Sequence, residues 1–262
     1  YNKNIQKGGI KMKIMVDASP KNLREIEHDD WLFCISTIFQ ENEEYKKFYL
    51  EKKAEGSHFI LDNGAFELFF NQDVTDEKKE FLFNSLKKTI LELQPDIVVE
   101  PDIPGNPELS KQWTVEFKKD VHLDIKWGRC VHGRNLEGAI DNYVEASNDD
   151  QVEMILLPYD SEYEKWELFE SLISNNLWNK DKLHHSLGFE LKDLKFWDQL
   201  NEYFFSVDSS KFVYYAPVWY RNKKLPTSDF SRPQNYFNQT YNPVAVKAFL
   251  SYLKNYKEES NE

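Results

Sequence analysis

Two cysteines in 262 residues cannot make a disulfide framework. Cys34 and Cys130 both lie in apolar, strand-like runs, which suits a reducing cytoplasm. Glycine is scarce at nine residues, and no glycine-rich dinucleotide fingerprint follows the first apolar run. No apolar run approaches the roughly 20 residues of a membrane helix. The N-terminus has no apolar segment closed by small residues, so it is not a secretory signal. Basic residues are outnumbered, 33 Lys and Arg against 45 Asp and Glu, for a net charge of −12. That excludes a protein that coats nucleic acid by bulk electrostatics. Lys78, Lys79, Lys87 and Lys88 gather in one segment, and Arg221, Lys223 and Lys224 in another. Solvated surfaces are the plainer reading of both.

What is present is a core. Hydrophobics make up 40% and aromatics 15%, ample for a buried interior. Residues 1–11 look foreign to the pattern that follows. Lys7-Gly8-Gly9-Ile10-Lys11-Met12 reads as a translated ribosome-binding site ahead of a start codon, so Met12 is expected to be the natural start. Intact mass of the natively expressed protein tests this.

From residue 12 onward, strand and helix alternate. The pattern predicts strands over 12–17, 31–37, 59–62, 96–100, 123–131, 152–157, 184–188 and 204–208. Helices are expected over 19–26, 43–53, 76–93, 107–119 and 136–146, then from about 161 to 174, and over 243–256. Ser19-Pro20 and Thr75 supply N-terminal signals. Eight strands alternating with helices favour an α/β fold, a (β/α)8 barrel in one domain over 12–262, with a doubly wound sheet as competitor.

Most of these strands end on an ionisable group: Asp17, Asp62, Asp102, His132, Asp160, Glu190 and Asp208. The clearest case is Phe59 to Glu67, where an apolar run delivers Asp62 and then turns at Asn63-Gly64. Any one of these is also an ordinary turn acid. Together, in a barrel, they would gather at the mouth where such folds build their sites. An acid-rich mouth can hold a cation, run two-carboxylate glycosyl chemistry, or accept the N–H groups of an amino-rich heterocycle.

Metal is the weakest of the three, since His184-His185 is the one near pair and adjacent strand residues face opposite ways. No metal and no cofactor is expected. A serine triad lacks its GxSxG elbow, and Ser209 and Ser210 read as turn residues. Glycosyl transfer needs one carboxylate at the anomeric carbon and a second group for the leaving base. Asp62 with Asp208 could serve, and so could Glu100 with Glu190. Glu100 follows Val99 rather than the Asn usual in barrel glycoside hydrolases, which lowers that second pairing.

LDNGAFE at 61–67, DIVVEPD at 96–102, CVHGRN at 130–135, SLGF at 186–189 and SVDSS at 206–210 occur in the order seen in tRNA-guanine transglycosylase-like barrels. The chain most resembles the compact phage and bacterial members related to the DNA deazaguanine transglycosylases. The resemblance implies exchange of guanine for a 7-deazaguanine at a glycosidic bond. It implies Asp208 as the nucleophile at C1′, Asp62 as the acid/base, and Asp102 as acceptor for the donor edge of the base. Asn63, Gly64, His132, Gly133, Asp160 and Gly188 fall on positions that would line the substrate.

The chain departs from the family at His132, where Gln is usual, and at Pro158-Tyr159-Asp160, where a glycine-rich turn is common. The three-Cys, one-His zinc site of the tRNA enzymes has no counterpart, since no cysteine follows Cys130. That absence and the acidic balance point to DNA, or a free nucleotide, over tRNA. Three readings stay open: a transglycosylase, a hydrolytic N-glycosidase on the same barrel, and a non-catalytic nucleotide-sequestering protein.

Overall fold

The structure is a computed structural model that describes residues 12–26, 28–69, 72–121, 124–159, 163–224 and 236–256. The expected leader at 1–11 and Asp160 lie outside them. In chain order the first half runs β1 (Lys13–Val16), α1 (Pro20–Glu25), β2 (Trp31–Ile35), α2 (Ser36–Glu41), α3 (Glu43–Ala54), β3 (His58–Asp62), α4 (Ala65–Phe69), α5 (Asp76–Leu93), β4 (Ile97–Val99) and α6 (Pro107–Asp120). The second half runs β5 (Trp127–Cys130), α7 (Leu136–Asn148), β6 (Val152–Leu157), α8 (Lys165–Ser174), β7 (Leu183–Ser186), α9 (Trp197–Tyr203), β8 (Ser206–Ser209), α10 (Lys211–Tyr214), α11 (Ala216–Asn222) and α12 (Pro243–Lys254). Eight parallel strands alternating with helices are the (β/α)8 barrel class. Among the described residues no helix is long and apolar enough to cross a membrane.

The chain divides into two compact units, with boundaries at Asp29/Asp30 and Leu183/His184. The central unit carries β2 to β6 in sequential parallel pairing. Its strands β2 and β4 read as apolar runs, as strands covered on both faces do: Leu32, Phe33, Cys34 and Ile35 in β2 and Ile97, Val98 and Val99 in β4 are all buried. The terminal unit carries β1, β7 and β8, with β8 paired in parallel to both of the others.

Several boundaries differ from the sequence expectation. The second strand stops at Ile35, because Ser36 and Thr37 open α2, and the Ser36 hydroxyl donates to the carbonyl of Asn63 at 2.6 Å. The fifth strand covers only Trp127–Cys130. Its neighbour β4 has three residues and pairs with only Trp127 and Gly128, while β6 pairs with all four. The short helix α4, absent from the sequence reading, packs Ala65 and Phe69 on Leu82, Ile103 and Trp113. Ala65 directly follows the Asp62-Asn63-Gly64 turn and Ile103 directly follows Asp102, so the backbone at both is tied to this cluster.

Candidate active site

In the central unit, Asp62 is the last residue of β3 and its Oδ2 accepts the N–H of Gly64 at 2.8 Å. Gly64 sits at φ +82°, and a Cβ there would lie 2.3 Å from the Thr37 hydroxyl oxygen. Only glycine meets both conditions. Asn63 is buried and spends its whole amide on the frame. Its Nδ2 donates to the Glu100 carbonyl at 2.7 Å and to Asp102 Oδ1 at 2.6 Å, and its Oδ1 accepts from Ala65 N–H at 2.7 Å.

Asp102 therefore has both oxygens engaged, since Oδ2 accepts from His132 Nε2 at 2.6 Å. A carboxylate has about four lone-pair sites, so both oxygens keep capacity for further donors. Asn142 Nδ2 holds the His132 carbonyl at 2.9 Å. Gly133 has no room for a side chain, because a Cβ would lie 2.3 Å from the backbone nitrogen of Ala139 in α7. Its role is close backbone packing beneath His132.

Cys130 shares this corner, and sequence reasoning missed it. Cys130 ends β5 and His132 follows two residues later, beyond the strand, so no strand periodicity marked the pair. Burial pushes the Cys130 thiol up to about 11, against the opposing pull of His132. Asp102, Cys130 and His132 each offer one donor atom within 4.8 Å of the others, and are the group among the described residues that could hold a cation. His184-His185, the pair singled out from sequence, diverges: His184 packs edge-on to Phe204 while His185 turns to Asp208.

Glu100 does not serve as a site acid. It is buried, and its carboxylate meets Arg129 Nε at 2.6 Å and Lys118 Nζ at 2.6 Å. Arg129 also reaches Asp149 at 2.7 Å. Burial alone would lower the Arg129 pKa, but hydrogen bonds and charge from Glu100 and Asp149 outweigh it and raise it. Burial likewise works against the Asp149 charge, yet the Gln151 N–H and Arg129 hold its pKa below the usual value. Glu190 is equally occupied: it closes a capping box with Asp193 and pairs with Lys211 at 3.0 Å. The Glu100–Glu190 alternative thus places two structural acids where chemistry needs available ones.

In the terminal unit, Asp208 is the third residue of β8, with its side chain only 7% exposed. Oδ1 accepts two hydrogen bonds, from Gly188 N–H at 2.8 Å and from His185 Nε2 at 3.0 Å. Among the described residues no donor reaches Oδ2. Gly188 sits at φ +64°, which aims its N–H at the carboxylate. The loop after β7 is stitched to β8 by Phe189 N–H on the Asp208 carbonyl, 2.9 Å, and by the Ser209 hydroxyl on the Phe189 carbonyl, 3.1 Å. Ser209 is thus a turn residue, as its sequence context suggested. Asp17, just past β1, is buried, and its carbonyl accepts from the Tyr236 hydroxyl at 2.5 Å.

Two lysines of helix α5 are neutralised by the neighbouring helix. Lys79 pairs with Glu116 at 2.5 Å and Lys87 with Asp120 at 2.9 Å, both on α6.

Comparison with protein-family models gives no match, and comparison with curated proteins gives none. Among solved structures, the apo crystal structure of the endo-beta-N-acetylglucosaminidase from Cordyceps militaris is similar, at 10% identity and a TM-score of 0.44 over 94% of this chain and 92% of that one. Likeness at this level carries no argument about chemistry.

Proposed function

We propose that this chain is a glycosyl-transferring enzyme of the tRNA-guanine transglycosylase type, exchanging guanine for a 7-deazaguanine in DNA in preference to tRNA. The observation that carries the reading is the divided carboxylate of Asp208. Two donors converge on one oxygen of this acid and leave the other to whatever enters the site. Asp208 has Oδ1 held by two donors and Oδ2 left without one among the described residues. That is the state of a carboxylate kept for a bond to come.

In this reading Asp208 Oδ2 attacks C1′ of the nucleotide. The C1′–N9 bond breaks, and its electron pair leaves with guanine, which takes a proton from Asp62. The resulting Asp62 carboxylate accepts the proton of the incoming 7-deazaguanine as its nitrogen attacks C1′. The C1′–Oδ2 pair then returns to Asp208. Asp102 accepts the N1–H and exocyclic amino hydrogens of the base on the lone pairs left by Asn63 and His132.

The test is incorporation of labelled guanine into a guanine-containing oligodeoxynucleotide, with tRNA and free nucleotide run alongside. Label entering the DNA, and lost in a folded Asp208→Asn protein, is the expected result. Full exchange by a folded Asp208→Asn protein would overturn the nucleophile. Label entering tRNA alone would overturn the preference for DNA. Guanine release at the same rate without free base would make the enzyme a hydrolase.

A further inference from the structure

Asp208 is held by a histidine that is itself held. Ser206 and Asp208 lie two apart on β8 and so share a face, and His185 on β7 is the registered partner of Ser206. The imidazole spans the two: Nδ1 meets the Ser206 hydroxyl at 2.8 Å and Nε2 meets Asp208 Oδ1 at 3.0 Å. Both His185 and Ser206 are fully buried. A carboxylate can only accept, so Nε2 carries the proton. In the neutral ring Nδ1 then accepts from the serine, which fixes tautomer and ring orientation together.

We propose that His185, aligned by Ser206, is a positioning residue that governs the departure of Asp208 from the sugar rather than its attack. The proposal rests on Asp208 being the nucleophile. When Oδ2 bonds to C1′, Oδ1 becomes the carbonyl oxygen of a neutral ester and its hydrogen bonds weaken. When the incoming 7-deazaguanine nitrogen displaces the ester, the C1′–Oδ2 electron pair returns to the carboxylate and negative charge grows again on Oδ1. Donors aimed at Oδ1 stabilise the carboxylate relative to the ester, so they favour this second step. Removing the histidine donor shifts the balance toward the covalent form. Gly188 N–H remains as the second donor, so departure slows without stopping.

The experiment measures formation and decay of the covalent adduct by intact-mass quench, using a guanine-containing oligodeoxynucleotide chased with free 7-deazaguanine. In His185→Phe, decay is expected to slow by roughly 10²–10³-fold, the range for losing one donor to a developing charge, while formation changes little. The adduct then accumulates in the steady state. His185→Gln can place an amide N–H where Nε2–H stood and is expected to restore decay to within about tenfold, one unit of 1.4 kcal/mol. Ser206→Ala keeps the ring and loosens it, and slows decay by up to about tenfold with KM unchanged. Adduct that decays at the wild-type rate in both His185→Phe and Ser206→Ala, or equal slowing of formation and decay, would overturn the proposal. Should His185→Phe fail to fold, Ser206→Ala decides alone: adduct decay at the wild-type rate, or slowed equally with formation, overturns the proposal. The underlying reading fails differently: then no adduct forms even in wild-type protein while exchange proceeds.

Discussion

Two carboxylates, one in each unit, are each tied to a histidine, and they differ in what is left over. Asp102 in the central unit has a protein donor on each oxygen, Asn63 on one and His132 on the other. Asp208 in the terminal unit has two donors on a single oxygen and none among the described residues on its neighbour. Symmetric satisfaction makes a fixed acceptor surface, suited to reading donors on a base. Lopsided satisfaction makes an aimed atom. The number of N–H groups on each oxygen thus distinguishes the two acids, and under the proposed function it assigns recognition to Asp102 and bond formation to Asp208.

The sharpest way to break this contrast is to neutralise each acid in turn. Asp208→Asn is expected to lower base exchange by at least 10³-fold, roughly 4 kcal/mol or more, with guanine affinity nearly intact. Asp102→Ala is expected to show the reverse: base binding weaker by about 10- to 100-fold, from the unpaired donors of the base, with adduct formation preserved at saturating substrate. Equilibrium dialysis with guanine, beside single-turnover kinetics, separates the two. Equal effects on affinity and turnover in both variants would erase the distinction.

Glu100 supplies the control. Its strand-end position is like that of Asp102, yet its charge is consumed by Lys118 and Arg129. Glu100→Gln is expected to cost about 3–5 kcal/mol of stability, the usual penalty for breaking a buried pair, and to leave exchange by the remaining folded protein unchanged. Urea denaturation with activity normalised to folded protein checks both halves.

A smaller effect concerns Cys130. Its folded pKa is raised, from 9.0 to about 11, so the neutral thiol favours the folded state. That contribution is fully present below pH 9 and is lost as pH rises toward 11. Two units amount to about 2–3 kcal/mol. Stability measured between pH 8 and 11 is expected to fall more steeply for wild type than for Cys130→Ala. The smallest effect belongs to the exposed lysines. Lys79→Ala is expected to change stability by less than about 1 kcal/mol, because the Glu116 partner is 56% exposed and solvent screens the pair.

The alternation of strands and helices was legible because buried parallel strands are written as short apolar runs. The acids at their ends were legible because the apolar pattern stops so abruptly at Asp62 and Asp208. The hydrogen-bonded partners were not. Whether His185 meets Asp208 or Glu100 meets Arg129 depends on register between strands distant in sequence, and no local pattern encodes it. Helix α2 was hidden by Ile35, Ile38 and the β-branched Thr37, whose preference for strand is overridden by packing of the helix on α5. Glu100 and Asp102, two residues apart, look equivalent in sequence and differ in the structure only by what stands opposite each.

Asn63-Gly64 carries a further consequence, for how the protein ages. An asparagine followed by glycine is the pair most prone to spontaneous deamidation, in which the glycine nitrogen attacks the side-chain amide carbon. Here both partners are restrained: Gly64 N–H is turned to Asp62, and every polar atom of the Asn63 side chain is hydrogen-bonded. The folded chain is therefore shielded at its most fragile bond, and the unfolded chain is not. Isoaspartate at position 63 is expected to accumulate far faster in urea than in native buffer, measured by peptide mapping. Each molecule so altered would refold with an extra backbone atom and a new negative charge against Asp102. Brief unfolding would thus leave a permanent chemical record beside Asp102.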